Sequence, residues 1–311
     1  MKLYSIWNTK FIGRYVELSK KKSLDVIVHD GVFHSDDVFA VALLDLAFDL
    51  AMDKLPSFTP GVNMEMSNFI TWRSRQKAMI ENAHIAIDVG KQYDGVKYFD
   101  HHQDDVPDNV IDSIPHSALG LLAETLITEK RVLDELRKAV IFGIEARDNG
   151  LKVPDNYNTA GEWVAAMNPN WDETGDTHMQ FINAAFMAKR MLYSSIKKII
   201  AVIKAEEYID KLIPERKYDK LLVLDKNMPW ETHVFRNYPK IIAAVYLRDG
   251  GWRVKGALAE SENDLTQKMY FPEGFTSEGM TFLHKHRFMA AFDTKEHAIE
   301  AALKSIEMQN L

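Results

Sequence analysis

Histidine and aspartate side chains are concentrated at four places in the first half of the 311-residue chain. These places are residues 29–37 (HDGVFHSDD), Asp88, the triplet Asp100-His101-His102, and Asp148. Mn²⁺ takes carboxylate oxygens and imidazole nitrogens as ligands, and Mg²⁺ takes mainly the oxygens. Two such ions that share a carboxylate can clamp the attacking and the leaving oxygen of a phosphoester. The residue types therefore indicate metal-dependent phosphoester hydrolysis.

Each of these residues has a simpler explanation when it is taken alone. An Asp or His at a strand end more often caps a helix or forms a turn than binds a metal. The triplet is a stronger signal, because the backbone beyond a strand end can turn and present adjacent histidines to one cleft. Since the chain has no cysteine, thiolate sites are excluded, and any metal must be held by histidine and carboxylate.

The four places lie beside predicted regular elements. Short apolar runs rich in β-branched residues predict strands at residues 24–28, 84–87 and 96–99. Helical spacing of apolar residues predicts helices at residues 38–50, about 117–129 and about 132–147, the last followed by Asp148 and the turn signal Asn149-Gly150. Since ligands gather beyond the carboxyl ends of strands in open α/β sheets, we expect the four places to converge.

The second half of the chain predicts a smaller domain. A helical pattern over about residues 177–213 ends at Pro214 and predicts a connector, giving a metal-binding domain at 1–213 and a substrate domain at 214–311. Strands are predicted at residues 220–224, 241–247 and 252–257, and a closing amphipathic helix at about 294–308. The predicted class is α/β.

The composition is that of a globular protein, with 46% hydrophobic and 27% charged residues. The net charge of -7 argues against a broad basic surface for long duplex nucleic acid but leaves room for a local basic groove. No apolar run is long enough for a membrane span, and residues 1–22 lack the pattern of a secretion signal. Residence in the cytoplasm, away from membranes, is the expectation.

Several motifs together resemble the melanocyte-proliferating-gene-type metal-dependent hydrolases, relatives of the DHH phosphoesterase superfamily. The motifs are HDGVFHSDD (29–37), DVG (88–90), YFDHHQ (98–103), RDNG (147–150), NPNW (168–171), LVLDKNMPWETHVF (222–235), GGWRVKG (250–256) and FLHKHRF (282–288). They follow the family's order over about residues 28–306. The resemblance implies a DHH-phosphoesterase-like, parallel-sheet catalytic domain with a smaller C-terminal α/β substrate domain.

The resemblance also implies roles for matching residues. Asp88 is expected to bridge two divalent ions, Mn²⁺ or alternatively Mg²⁺. The implied terminal ligands are His34, Asp36, His101 and Asp148, with His29 as a further ligand. His102 is expected to face the scissile phosphate, and Asp100 to orient His101. The implied chemistry is in-line attack by a metal-bound hydroxide. Asp37 stands where the family usually has Glu.

Residues for substrate binding are expected in the C-terminal domain. The candidates are Trp230 for stacking on a base, and His233, Arg253, His284, Lys285 and Arg287 for phosphates. Trp230 is equally explained as a core aromatic, and residues 284–287 as a solvated charged surface. The family usually has small residues with glycines after the motif histidine, where this chain has Arg287 and residues 289–291 (MAA).

Three functions remain open from the sequence. The first is a 3′-to-5′ exonuclease that acts on RNA or short single-stranded oligonucleotides, whose ends lie in a cleft between the two domains. The second is a small-molecule phosphodiesterase or pyrophosphatase that acts on nano-RNA, cyclic dinucleotides or pyrophosphate. The third is a non-catalytic binding protein with the same fold. The retained ligand set argues against the third. The oligomeric state is open, with a homodimer as one alternative.

Overall fold

The computed structural model describes residues 1–59, 65–104, 114–152, 160–260 and 266–311. The chain divides into two compact units, Met1–Ile200 and Ala201–Leu311. Within the described ranges, no helix is both long and apolar enough to cross a membrane.

The N-terminal unit is built on a four-stranded parallel sheet with the strand order β2-β1-β3-β4. Its strands are β1 Asp25–Val28, β2 Ile70–Arg73, β3 Ile85–Ile87 and β4 Tyr98–Phe99. β1, β3 and β4 lie within the runs predicted as strands, and their apolar residues are almost all buried. The sequence does not predict β2, because its four residues carry the exposed Trp72 between Thr71 and Arg73.

Helix α2, Ser35–Ala51, connects β1 to its parallel neighbour β2 and completes the predicted βαβ crossover. All its residues from Ser35 to Leu50 are buried, so the helix is packed on every side. Two of its buried carboxylates, Asp45 and Asp49, form ion pairs with the buried Lys189. This paired charge cluster joins α2 to the helix that carries Lys189.

Six further helices lie in the described part of this unit. They are α1 Thr9–Ser19, α3 Lys77–Asn82, α4 Ala118–Leu126, α5 Lys130–Leu136, α6 Phe142–Asp148 and α7 Ala160–Ala165. A turn of π-helix, Arg137–Ile141, joins α5 directly to α6. The predicted helix at residues 132–147 is therefore confirmed as a helical run with one wide turn.

The N-terminal segment, residues 1–22, packs into this unit. It contains a 3₁₀ turn, Leu3–Ile6, and α1, whose Phe11, Ile12 and Tyr15 are buried. The Tyr15 hydroxyl donates a 2.6 Å hydrogen bond to the carbonyl of Val96 just before β4. The segment therefore supports the strand that leads to residues 100–102, whereas its three lysines at positions 20–22 are exposed.

The long helix α8, Thr177–Leu212, begins in the N-terminal unit and ends in the C-terminal unit. A 3₁₀ turn, Ile213–Glu215, follows it, with Pro214 where the sequence predicts the end of the helix. The boundary between the two units lies at residues 200 and 201, inside the helix, and the domain boundary predicted from the sequence lies at its end.

The C-terminal unit contains a five-stranded mixed sheet with the order β5-β6-β7-β9-β8. Its elements are β5 Leu221–Leu224, α9 Glu231–Asn237, β6 Ala243–Arg248, β7 Gly251–Gly256, β8 Met280–Leu283, β9 Met289–Phe292 and α10 Lys295–Met308. β5 and β6 are parallel, and the other neighbours are antiparallel. The hairpin β8–β9 is not predicted from the sequence, and residues 284–287 form its turn. The predicted α/β class holds for both units.

Candidate metal centre

Three of the four His/Asp places follow neighbouring parallel strands. His29 follows β1, Asp88 follows β3, and Asp100 begins the triplet after β4. Since β1 pairs with β3 and β3 with β4, all three side-chain groups lie at the same edge of the sheet. This is the convergence expected at the carboxyl ends of parallel strands.

Two helix ends bring the remaining residues to this edge. His34 is the N-cap of α2, and Asp36 lies in the first turn, where free backbone N–H groups favour a carboxylate. Asp148 is the last residue of α6. Its Oδ2 lies 3.0 Å from Nε2 of His101, so α6 delivers its carboxylate to the histidine that follows β4.

Asp88 occupies the middle of the cluster. Its Oδ2 lies 3.4 Å from Nε2 of His29, and its Oδ1 lies 3.4 Å from Nε2 of His101. The two oxygens of one carboxylate thus face different histidines, an arrangement suited to a bridging ligand. Asp88 has a positive φ of 53°, a conformation rare for a residue with a side chain and typical of functional sites.

Ligand atoms with metal-binding spacing form three overlapping groups. Within each group all the atoms lie within 4.8 Å of one another. The groups are His29-His34-Asp88, Asp88-His101-His102 and His34-Asp36-Asp148. All six residues that the sequence predicts as ligands belong to at least one group, and Asp88 and His34 each belong to two.

Several polar atoms of this cluster are buried and lack a well-formed hydrogen bond within the described part of the chain. They are Nε2 of His29, both carboxylate oxygens of Asp36, Oδ2 of Asp37, Oδ1 of Asp88 and Nε2 of His101. A buried polar atom without a partner loses its hydration, and native proteins rarely leave such atoms unsatisfied. A divalent cation held by these nitrogens and oxygens would satisfy them, so the residues fit a metal site.

The crowded carboxylates shift the protonation of their neighbours. Burial, reinforced by the charges of Asp88 and Asp148, raises the pKa of Asp36 well above its usual value. Burial lowers the pKa of His101, but the carboxylates of Asp148 and Asp88 outweigh it and raise the pKa to about 10. Protonation of Asp36 and His101 therefore offsets the repulsion among the carboxylates, and a bound metal ion would have to displace these protons.

The contact of Asp100 differs from the prediction. Its Oδ1 lies 2.7 Å from Nδ1 of His102 and accepts the backbone N–H of the same residue, so Asp100 orients His102 and not His101. Residues two apart in an extended segment point to the same side, which explains the correction. The hydrogen bond to Asp100 raises the pKa of His102, whose side chain remains 55% exposed.

Three residues that position the 29–37 loop were not assigned roles from the sequence. Asp37 Oδ2 lies 3.1 Å from Nε2 of His29, and its Oδ1 accepts the backbone N–H of His34 at 3.0 Å. The Asn168 amide accepts from the N–H of Phe33 and donates to the carbonyl of the same residue. The Arg73 guanidinium donates a 2.6 Å hydrogen bond to the carbonyl of Gly31. The motif NPNW (168–171) is the sequence signal that includes Asn168.

Cavities adjoin the cluster on two sides within the N-terminal unit. One, of about 490 Å³, is lined by Asp88, Asp100 and His102 together with basic residues. The other, of about 340 Å³, is lined by His34 and Asp148 together with apolar residues and Arg147. A substrate bound over the cluster therefore has room to extend on both sides.

The side chains of the predicted substrate residues Trp230 and His233 already have contacts within the C-terminal unit. Trp230 is 2% exposed and packs in an apolar core, so it offers no free face to a base, and its prediction as a stacking residue is corrected. His233 Nε2 lies 2.6 Å from Asp210, and its Nδ1 lies 3.7 Å from Glu206. A phosphate at His233 would approach two carboxylates, which argues against that predicted role.

The other predicted substrate residues lie on or beside the β8–β9 hairpin. His284 packs against Phe288 with a ring-centroid distance of 4.2 Å, and Lys285 is exposed in the turn. Arg287, in the same turn, has a left-handed φ of 59°. Arg253 is half-buried on β7, opposite Ala291 of β9.

Comparison with known proteins gives a family match over most of the chain. The family model MYG1_exonuc, described as Uncharacterised protein family (UPF0160), matches residues 25–306. The MYG1 protein of Saccharomyces cerevisiae is 26% identical and covers 94% of this chain and 98% of its own length. The MYG1 exonuclease of Homo sapiens is 22% identical, covering 91% and 85%. RecJ from Thermus thermophilus in complex with Mg²⁺ is a solved structure that aligns with 13% sequence identity. The alignment covers 96% of this chain and 51% of RecJ. Its TM-score of 0.28 is too low to bear on the fold or the function.

Proposed function

Because the chain belongs to the MYG1 exonuclease family (UPF0160), we propose that it is a metal-dependent phosphodiesterase that removes nucleotides from the 3′ ends of RNA or short single-stranded oligonucleotides. The observation that carries this proposal is the cluster of buried His and Asp atoms around Asp88 that lack a well-formed hydrogen bond within the described part of the chain. The mouse and human relatives are named MYG1 exonuclease, which supports the nuclease class.

The proposed cofactor is a pair of Mn²⁺ ions, with Mg²⁺ as the alternative. His29, His34, Asp36, Asp88, His101 and Asp148 would hold them, with Asp88 shared between the two. Divalent cations at such a site lower the pKa of coordinated water and neutralise charge on the phosphoryl group. Asp37 would hold His29 in place, since its carboxylate faces the ring nitrogen that points to Asp88.

His102 is the proposed contact to the scissile phosphate. Its Nδ1 faces Asp100, and its side chain is half exposed at the cavity beside Asp88. The hydrogen bond to Asp100 raises the pKa of His102, which favours the protonated form. An imidazolium there would donate a charge-assisted hydrogen bond to a phosphoryl oxygen.

In the C-terminal unit, Arg253, His284, Lys285 and Arg287 are the proposed contacts to the phosphate backbone of the substrate. Lys285 is exposed, and His284 and Arg287 lie beside it in the same turn. Basic groups of this kind bind single strands without reading their sequence. Residence in the cytoplasm stays a prediction, as does a homodimer.

The experiment that tests the function follows single-stranded RNA labelled at either end. We expect Mn²⁺-dependent shortening of 5′-labelled RNA as a ladder from its 3′ end, and early release of the label from 3′-labelled RNA. A chelator should stop both reactions, and Asp36→Asn, which is nearly isosteric, should lack them while unfolding cooperatively. Hydrolysis of pyrophosphate or cyclic dinucleotides with no action on RNA would contradict the proposal.

A further inference from the structure

The cavity beside Asp88, Asp100 and His102 has a basic wall that metal binding does not require. Arg75, Lys77 and Lys91 line it, along with the carboxylate of Glu81. The Lys77 ammonium nitrogen lies 3.6 Å from a carboxylate oxygen of Glu81, so the charges of these two side chains offset each other. Arg75 has one exposed contact, 3.2 Å from Nε to Asp30, and exposed pairs of this type contribute little.

Lys91 is the cation with the fewest constraints. Within the part of the chain that the structure describes, its ammonium group has no ion-pair partner, and its side chain is exposed at the cavity. Its backbone, by contrast, is tightly held, because the Lys91 N–H donates a 2.6 Å hydrogen bond to Oδ2 of Asp100. Asp100 therefore connects Lys91 to His102, the residue proposed to contact the scissile phosphate.

The turn that carries Lys91 has an unusual backbone. Asp88, Gly90 and Lys91 have φ values of 53°, 102° and 51°, so three of four consecutive residues are left-handed. Gly90 also lines the cavity, and a Cβ atom at this position would come within 3.1 Å of Cγ2 of Ile80. Such strained turns persist where the surrounding structure requires them, often at ligand sites. This turn places the shared carboxylate and a free ammonium group three residues apart.

The cavity on the other side of the cluster has a different character. Apolar and polar residues line it in equal number, and Arg147, beside Asp148, is the one arginine or lysine among these described residues. A substrate phosphate would thus meet more cationic side chains in the cavity beside Lys91 than in this cavity.

From these observations we infer that the basic cavity is a subsite for a second phosphate, the one adjacent to the scissile phosphodiester in a nucleotide chain, with Lys91 and Arg75 as its contacts. The inference rests on the proposed function and narrows its substrate class. It favours nucleotide chains with at least two phosphates over a dinucleotide with one. Tyr98 and Ile80 supply the apolar surface for the intervening sugar or base.

The test compares three forms of diadenylate: unphosphorylated, 5′-phosphorylated and 3′-phosphorylated. The key variant is Lys91→Asn, because asparagine tolerates a left-handed backbone. The matched control is Lys130→Asn, which removes an exposed lysine that lies on α5 and is paired with Asp134. Steady-state kinetics with Mn²⁺ give kcat and KM. Calorimetric titration of the same compounds into Asp88→Asn protein, with and without Lys91→Asn, gives binding without turnover.

We expect the original protein to prefer one phosphorylated form, which also shows the end that occupies the cavity. Lys91→Asn should reduce this preference about five- to tenfold, mainly through KM and the dissociation constant, the range for losing one partly exposed charge-assisted hydrogen bond. Lys130→Asn should keep the preference. A preference unchanged by Lys91→Asn, or no preference in an enzyme that hydrolyses all three forms, would overturn the subsite. If no form is hydrolysed, the assay with labelled RNA decides the proposed function, and the binding measurements with these three compounds still decide the subsite.

Discussion

The polar residues of the two units differ in how they are satisfied. Around Asp88, side chains from distant segments meet, and several of their buried atoms have no well-formed hydrogen bond in the described chain. In the C-terminal unit, His233 already faces Asp210, and Trp230 is enclosed by its own core. The first arrangement is suited to a ligand that the chain does not supply, whereas the second is not. Several unsatisfied buried atoms gathered in one place are therefore a better indicator of a site than residue type alone.

Asp88→Asn is expected to have the largest effect, because it alters the residue at the middle of the cluster. The substitution keeps the shape of the side chain but removes the charge that two metal ions would share. We expect a loss of about a thousandfold in kcat/KM, or about 4 kcal/mol of transition-state stabilisation, with weaker metal binding. Turnover on labelled RNA and metal content by mass spectrometry measure these effects. Full activity with bound metal would show that Asp88 is not a ligand.

Trp230→Ala tests whether Trp230 is a core residue of the C-terminal unit. If Trp230 is a core residue, its loss should destabilise the fold by about 3–5 kcal/mol, measured by denaturant unfolding. Trp171→Ala is the matched control, since Trp171 is 97% exposed and its removal should change stability by less than about 0.5 kcal/mol. Equal stability of both variants, with lost RNA binding for Trp230→Ala alone, would restore the stacking role.

The affinity of the cluster for metal should depend on pH. The pKa of His101 is raised from 6.5 to about 10 without metal, so the stability from its protonated form is complete below pH 6.5 and is lost as the pH rises towards 10. A metal ion displaces this proton, so Mn²⁺ affinity should increase with pH over the same window, by up to about tenfold per pH unit for one proton. The raised pKa of Asp36 adds to this trend. Calorimetry in two buffers would detect the released protons, and a flat affinity between pH 6.5 and 8.5 would contradict the displacement.

The smallest expected effects are changes in KM for RNA caused by substitutions at two basic residues of the C-terminal unit, Lys285 and His233. Lys285→Ala should raise KM for RNA about three- to fivefold, since an exposed lysine contributes to binding mainly by its electrostatic attraction to phosphate groups. His233→Ala should leave KM within about twofold, because its ring is engaged with Asp210. Kinetics at low and high salt measure both, and salt should diminish the Lys285 effect. The reverse ranking would mean that His233 reaches the substrate.

The sequence was sufficient for the parts of the site that depend on local pattern. β1, β3 and β4 are short apolar runs, and residues just beyond them were correctly expected at one edge of a parallel sheet. Asn168 was beyond such reasoning, because its partner Phe33 is 135 residues away and the contact is to backbone atoms. The role of Trp230 was undecidable, since composition does not distinguish a stacking tryptophan from a core one. The β8–β9 hairpin lacked a recognisable turn signal, since its left-handed turn position is Arg287 and not glycine.

The wide turn at Arg137–Ile141 has a consequence for how this chain tolerates deletions. A π-turn accommodates one residue more than an α-helical turn, and each residue of a helix advances the direction of the next side chain by about 100°. Removing a single amino acid from this segment would therefore convert it to regular helix and leave the direction of the following residues nearly unchanged, so Asp148 would still face His101. A one-residue deletion inside α6 would instead rotate the Asp148 carboxylate by about 100° and remove it from the centre, although every ligand residue would still be present in the sequence.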